Sequence, residues 1–224
     1  MNRVVHIESR AVPIWPEEQS FDTLDGILHS TQFTDTDLYH PGLKRVILEM
    51  EQQPSGVKRY GRSYGGTKLH YFDRWDCAEA KLLHERALEL FRRALNCPIA
   101  VADAAWVNVS RDGDYTTPHS HHRATASLVY FFDPGDPDAD DPDAGRFSFV
   151  DPRLARCCTA QEGCLTNSLY VNMIPGTLIM FPGAVVHAVN PYRGKRPRIT
   201  IAWNINETAI EGSPYPRETN PGPA

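Results

Sequence analysis

The chain has 224 residues, 41% hydrophobic and 23% charged, with a net charge of -5. That is enough apolar material for one sizeable core, and the acidic balance argues against a general nucleic-acid binder, which needs a basic face. No apolar run reaches the length of a membrane span, and the opening Met-Asn-Arg-Val-Val-His-Ile-Glu lacks the apolar centre of a secretion signal, so a cytoplasmic protein with no membrane partner is expected. Five cysteines without Cys-x-x-Cys spacing read as reduced thiols rather than a zinc ribbon.

In chain order, residues 2–7 predict a short strand and residues 11–16 an extended segment, because each proline biases its predecessor away from helix. Ser20 is placed to cap a short helix carrying Leu24, Ile27 and Leu28. Pro41 is placed to open a second helix over residues 43–51, ended by Pro54-Ser-Gly56. Residues 59–66 form a basic segment rich in glycine and tyrosine, either an exposed loop or a lid whose tyrosines touch substrate. Asp76 and Glu79 have the spacing of a capping box ahead of Leu83, Ala87, Leu90, Phe91, Ala94 and Leu95, which recur at helical period until Asn96 and Pro98 stop them.

From residue 100 the pattern changes to short strands, predicted at 104–110, 125–132, 146–150, 168–173, 177–181, 185–190 and 198–206, with Asp-Gly, Pro-Gly and Arg-Gly turns between them. The expected fold is mainly β with a helical N-terminal part, a cupin-like jelly roll buttressed by helices. A single domain is expected over residues 1–213, with a helix-rich part at 1–99, the β core at 100–206, inserted loops at 133–145 and 151–167, and a loose tail at 214–224. The first insertion carries six aspartates between 133 and 143 without the spacing of a calcium loop, and reads as a solvated acidic segment.

The chemistry-bearing residues lie in this second half. His119 and His121, if extended, aim at one face and His122 at the other. His187, in Phe181-Pro-Gly-Ala-Val-Val-His187, could add a third ligand from a neighbouring strand. Three protein ligands would leave further positions of an octahedral metal open, as a catalytic site requires. Eleven residues on, Arg198 and Thr200 share one face of a strand with Asn204. A guanidinium there can hold a carboxylate through two parallel hydrogen bonds, and the threonine hydroxyl can add a third. Trp106 and Asn108 share a strand face and are candidates for substrate contact; Tyr130 is a candidate for the co-substrate.

The block Trp106-Val-Asn108, His119-Ser-His121, Ser127-Leu-Val-Tyr130, Pro175-Gly176, Phe181-Pro182, His187, Arg198-Ile-Thr200-Ile and Asn204 resembles the Fe(II)/2-oxoglutarate-dependent oxygenase superfamily, in particular its bacterial and phage group. The resemblance covers roughly residues 100–206. It implies a double-stranded β-helix, iron bound by His119 and His187, and the far carboxylate of 2-oxoglutarate held by Arg198 with Thr200. It further implies Fe(II) and 2-oxoglutarate as cofactor and co-substrate, and dioxygen and a small molecule as reactants. Hydroxylation of an unactivated C–H bond is then the expected reaction, with an amino acid or derivative among the candidate substrates and a homodimer left open.

One position departs from the family pattern. The superfamily usually has His-x-Asp/Glu, and here His121 stands at the carboxylate position. Either His121 completes the site, or Asp114 or Asp151 does so with His121 turned to substrate. A three-histidine cupin-type dioxygenase or isomerase that ignores 2-oxoglutarate, and a non-catalytic member of the fold, are the competing classes.

Overall fold

The computed structural model describes residues 3–53, 57–58, 63–136, 138–158 and 167–208. The N-terminal part opens with the hairpin β1 (Val4–Ile7) and β2 (Arg10–Pro13), then β3 (Asp22–Leu24) and β4 (Leu28–Gln32), then helix α1 (His40–Glu51). Short strands β5 (Val57–Lys58), β6 (Ser63–Tyr64) and β7 (Thr67–His70) precede helix α2 (Ala78–Ala94). The β-rich part comprises β8 (Val101–Ser110), β9 (Tyr115–His119), β10 (Ala126–Asp133), β11 (Phe147–Phe149), β12 (Leu169–Tyr170), β13 (Thr177–Pro182), β14 (His187–Val189) and β15 (Arg198–Asn206).

Apart from the two-stranded β1–β2 hairpin, these strands make two antiparallel sheets, an eight-stranded one in the order β3-β4-β13-β10-β15-β8-β7-β5 and a five-stranded one in the order β12-β11-β14-β9-β6. Their facing sides form the double-stranded β-helix, and the helices cover the outer side of the larger sheet. Strand alternation divides the layers. On β15, Ile199, Ile201, Trp203 and Ile205 join the core under the helices, while Arg198, Thr200 and Asn204 line the cleft between the sheets. On β10, Leu128, Tyr130 and Phe132 face the helices, and Val129 and Phe131 face the second sheet.

Two N-terminal expectations are corrected. The helix expected from Ser20 is instead the hairpin β3–β4, with Leu24 paired to Leu28. Asp25 and Gly26 turn it with φ of 53° and 73°, the left-handed region that an Asp-Gly pair tolerates and a helix does not use. The capping box at Asp76 does not form. Cys77 is the N-cap without a side-chain bond, and the Glu79 carboxyl packs against Gly42 of α1, where a Cβ would collide with it. Residues 59–62 of the 59–66 segment lie outside the described residues, as do Pro54-Ser-Gly56, Cys164 and everything from 209 on, the expected tail at 214–224 included; of the 59–66 segment, Ser63–Tyr64 forms β6 at the edge of the smaller sheet.

Between sheet and helices runs a buried polar chain. Arg86 of α2, 0% exposed, donates to both carboxylate oxygens of Asp35 at 2.8 and 2.6 Å and to the carbonyls of Pro13 and Ile14. It also donates to the Tyr39 hydroxyl at 3.1 Å; the Tyr39 and Tyr130 hydroxyls are 2.8 Å apart, and Tyr130 lies 2.7 Å from His40 Nε2. Burial pushes His40 down to about 4, against weaker upward pulls from Asp133, Asp37 and Asp35, so the imidazole beside the Tyr130 hydroxyl is neutral. Tyr130 thus lies in the core under the helices: its strand parity turns it away from the cleft in which a co-substrate contact was expected of it.

Two predictions follow from this layer. Arg86→Met should destabilise the fold by about 3–5 kcal/mol in chemical denaturation, since it strands Asp35 and two carbonyls. His40 has a lower pKa folded than unfolded, so the unfolded chain binds the extra proton first. The stability it contributes is present above about pH 6.5 and is lost as pH falls toward about 4. In His40→Gln, the slope of unfolding free energy against pH should be shallower across that window than in the parent.

Candidate metal centre and anion site

The three histidines converge. One potential ligand atom from each of His119, His121 and His187 lies within 4.8 Å of the others. His119 ends β9 and is directly paired with His187 of β14, so strand register brings two imidazoles 4.3 Å apart between centroids. His121 arrives differently from the expectation. It lies beyond the end of β9, in a turn rather than on the strand, and its amide donates to the Gly183 carbonyl at 2.7 Å. A Cβ on Gly183 would collide with the carbonyls of His121 and Ala124, which explains the glycine after Pro182. His122 is exposed and outside the cluster.

The protein also sets the ring orientations. His119 Nδ1 lies 2.9 Å from the Thr117 carbonyl and His187 Nδ1 lies 3.0 Å from the Val185 carbonyl. A carbonyl only accepts, so each Nδ1 carries the proton and each Nε2 keeps its lone pair, the form a metal binds. Burial foremost, with the neighbouring His119 and, less, His121 and Lys68 acting in the same direction, pushes His187 well below its usual value and keeps it neutral. Phe147 stacks on His187 and Phe181 meets it edge-on, at 5.4 and 4.8 Å. His121 Nδ1 is 3.4 Å from the Asn204 amide, whose oxygen accepts from Ser127 at 3.0 Å.

Neither carboxylate alternative reaches the cluster. Asp114 accepts the Arg111 amide at 2.6 Å in the turn between β8 and β9. Asp151 is buried and accepts from the Arg153 guanidinium and from the Arg153 and Val186 amides. Arg153 foremost, against the opposing push of burial, holds it well below the usual carboxylate range. It thereby fixes the backbone just before His187 without facing the imidazoles.

Arg198 forms the other half of the site. It is 2% exposed, and among the described residues its guanidinium has no carboxylate partner. It donates to the Met173 sulfur at 3.3 Å, and its Nε is buried without an acceptor among the described residues. Burial lowers it to about 10, with Tyr192 pulling the other way, so it stays a cation at neutral pH. A desolvated cation of this kind costs several kcal/mol unless an anion meets it. Thr200, two residues on, accepts from Asn108 Nδ2 at 3.3 Å, and Asn108 Oδ1 accepts from Trp106 Nε1 at 3.1 Å.

The imidazoles, Arg198, Thr200, Asn204, Trp106 and Asn108 line one cleft. Reading the sequence alone did not single out Lys68, Thr116 or Ser127, which line it too. Ser127 was legible in principle, since it alternates with Val129 and Phe131. Lys68 was not, because only the long-range pairing of β7 with β8 puts it opposite Asn108.

Gly183→Ala should push the His121 turn outward. The expected result is metal affinity lowered at least tenfold in a cobalt titration with the secondary structure retained, whereas unchanged affinity would show that the turn is not held by Gly183.

Residues 104–204 match the family model described as "Putative 2OG-Fe(II) oxygenase". No curated protein matches the sequence. Among solved structures, the chain is similar in fold to a prolyl-4-hydroxylase from Pseudomonas putida, with 18% identity, TM-score 0.55, and 79% of this chain and 90% of that one covered. A prolyl hydroxylase from Trichoplax adhaerens, in complex with a hypoxia inducible factor peptide, gives 14% identity, TM-score 0.59, and coverage of 80% and 84%. The 2-oxoglutarate-type (alpha ketoglutarate dependent) carbocyclase SnoK of nogalamycin biosynthesis gives 12%, 0.57, and 80% and 78%. At these identities the structural likeness speaks for the fold, and the family model for the residues of the core. Residues 104–204, a little under half of the chain, are thus similar to the Fe(II)- and 2-oxoglutarate-dependent oxygenases.

Proposed function

We propose that the protein is an Fe(II)- and 2-oxoglutarate-dependent dioxygenase that hydroxylates an unactivated C–H bond of a small molecule, with His119, His121 and His187 as the metal ligands. The observation that carries this reading is the buried Arg198 guanidinium, without a carboxylate among the described residues, in the same cleft as three convergent imidazoles. Both absent groups fit the residues present. Two of the imidazoles are held with Nε2 unprotonated, as a ferrous ion requires. Arg198 supplies a desolvated cation for the far carboxylate of 2-oxoglutarate, and the Thr200 hydroxyl can add a hydrogen bond to it.

When bound, Fe(II) and 2-oxoglutarate supply oxidation by dioxygen, coupled to decarboxylation of the keto acid to succinate. The chain's own contribution is position and shelter. Thr117 and Val185 hold two rings in the ligating tautomer, Asn204 and Ser127 brace the third, and Phe147 and Phe181 keep water from His187. Trp106 and Asn108 form the wall where a substrate would lie, with Trp106 5.7 Å from His121 between ring centroids. An amino acid or derivative remains within this substrate class.

The histidine at the usual carboxylate position is the one feature that favours a three-histidine enzyme indifferent to 2-oxoglutarate. Three neutral ligands leave the metal one unit more positive than two histidines and a carboxylate would. On that alternative Arg198 would be a buried cation with no ligand to justify its cost.

The two readings part in a simple assay. With Fe(II), ascorbate and 2-oxoglutarate and no added substrate, slow succinate formation is expected. Arg198→Ala should weaken 2-oxoglutarate binding about a hundredfold, the scale of a buried charge-assisted hydrogen-bond pair, while metal affinity is kept. No succinate from the parent protein, or equal loss of metal and co-substrate in the variant, would refute the assignment.

A further inference from the structure

The polar side chains beside Arg198 form a hydrogen-bond chain with one direction. On β8, Asn108 is paired across the sheet with Thr200, and Trp106 stands two residues before it on the same face. The indole Nε1 lies 3.1 Å from Asn108 Oδ1. An indole nitrogen only donates, so the amide atom facing it is the oxygen. That fixes the amide against a flip and turns its Nδ2 toward Thr200, 3.3 Å from Oγ1. An amide nitrogen also only donates, so the hydroxyl accepts from it. The single hydrogen of that hydroxyl is left to donate elsewhere, and among the described residues no acceptor meets it. Thr200 is buried and lines the cleft with Arg198, two residues before it on the same strand face. A hydroxyl held in this way is a preset donor beside a buried cation, and both suit one anion.

We propose that Asn108 is a positioning residue for the co-substrate: held by the Trp106 indole, it sets the Thr200 hydroxyl as a donor to the far carboxylate of 2-oxoglutarate. The inference rests on the oxygenase reading and adds the residues that favour a keto acid with a second carboxylate. It gives Trp106 and Asn108 a task on the co-substrate side of the cleft, besides the wall they offer to substrate. Burial of polar groups asks only that each have a partner. It does not ask that the donors run in sequence from the indole to a hydroxyl on the strand face of Arg198. Cross-strand pairing of β8 with β15, inside the larger sheet, holds the chain in place before any ligand arrives. The donor is therefore aimed without reorganisation when the carboxylate binds.

The test is a binding cycle on the full chain, loaded with Mn(II) without oxygen so that no turnover occurs. Calorimetry follows 2-oxoglutarate and, beside it, 2-oxopentanoate, in which a methyl group replaces the far carboxylate. Asn108→Leu should weaken 2-oxoglutarate about tenfold, as for a lost hydrogen bond to a charged group, and leave 2-oxopentanoate and Mn(II) affinity unchanged. Thr200→Val should do the same. In the Thr200→Val background, Asn108→Leu should cost less than about twofold more, because the hydroxyl it acts through is gone. In Thr200→Ser, which keeps a hydroxyl, the tenfold cost should return. Trp106→Phe keeps the ring and removes the N–H, and should weaken 2-oxoglutarate alone, so the proposal stays testable if Asn108→Leu does not fold. Additive losses in the double variant, equal weakening of both keto acids, or unchanged 2-oxoglutarate affinity in the single variants would overturn it. Binding of 2-oxoglutarate to the parent protein is measured first. If that fails, the oxygenase reading fails and this inference with it; if it holds without the coupling, only the role of Asn108 falls.

Discussion

Strand β15 carries two incompatible demands in one run of nine buried residues. One side must be apolar, because Ile199, Ile201, Trp203 and Ile205 form the floor on which the helices rest. The other side holds Arg198, Thr200 and Asn204, polar groups taken out of water at a cost that the core alone does not offset. The cost of Arg198 is tolerable if the site regularly contains an anion. The position of the strand at the centre of the larger sheet, between β10 and β8, makes its alternation rigid, so the guanidinium is presented in one direction.

The candidate metal centre is built by a different device. Register between β9 and β14 fixes two imidazoles, and a tight approach of Gly183 to the following turn fixes the third. Backbone carbonyls of Thr117 and Val185, each two residues before its histidine, choose the tautomer. The centre thus depends on main-chain geometry more than on a dedicated shell of side chains. That makes it sensitive to anything that moves the turn after β9, and tolerant of changes elsewhere on the surface.

Much of this was legible in the sequence, because strand period is short and the polar residues break it visibly. The alternation Arg-Ile-Thr-Ile-Ala-Trp-Asn gave β15 its faces, and the histidine spacing gave the cluster its members. What failed had physical causes. Tyr130 looked like a site residue because it stands among them in sequence, but its parity on β10 sends its hydroxyl to Tyr39 and His40. The segment around Leu24 has helix-compatible spacing, but Asp25-Gly26 favours the left-handed turn of a hairpin. His121 reaches the cluster from a turn rather than from the strand that its spacing suggested. Lys68 is invisible locally, since its place depends on a partner strand some forty residues away.

The central claim is that one cleft holds a ferrous ion and a keto acid together, the first on three imidazoles and the second on both the metal and Arg198. Anaerobic absorption spectroscopy of the Fe(II)-loaded protein tests it directly. A visible charge-transfer band should appear when 2-oxoglutarate is added, saturate at one equivalent, and be absent with either component alone. A protein that binds Fe(II) but shows no band at saturating 2-oxoglutarate would contradict the claim and leave the three-histidine alternative standing.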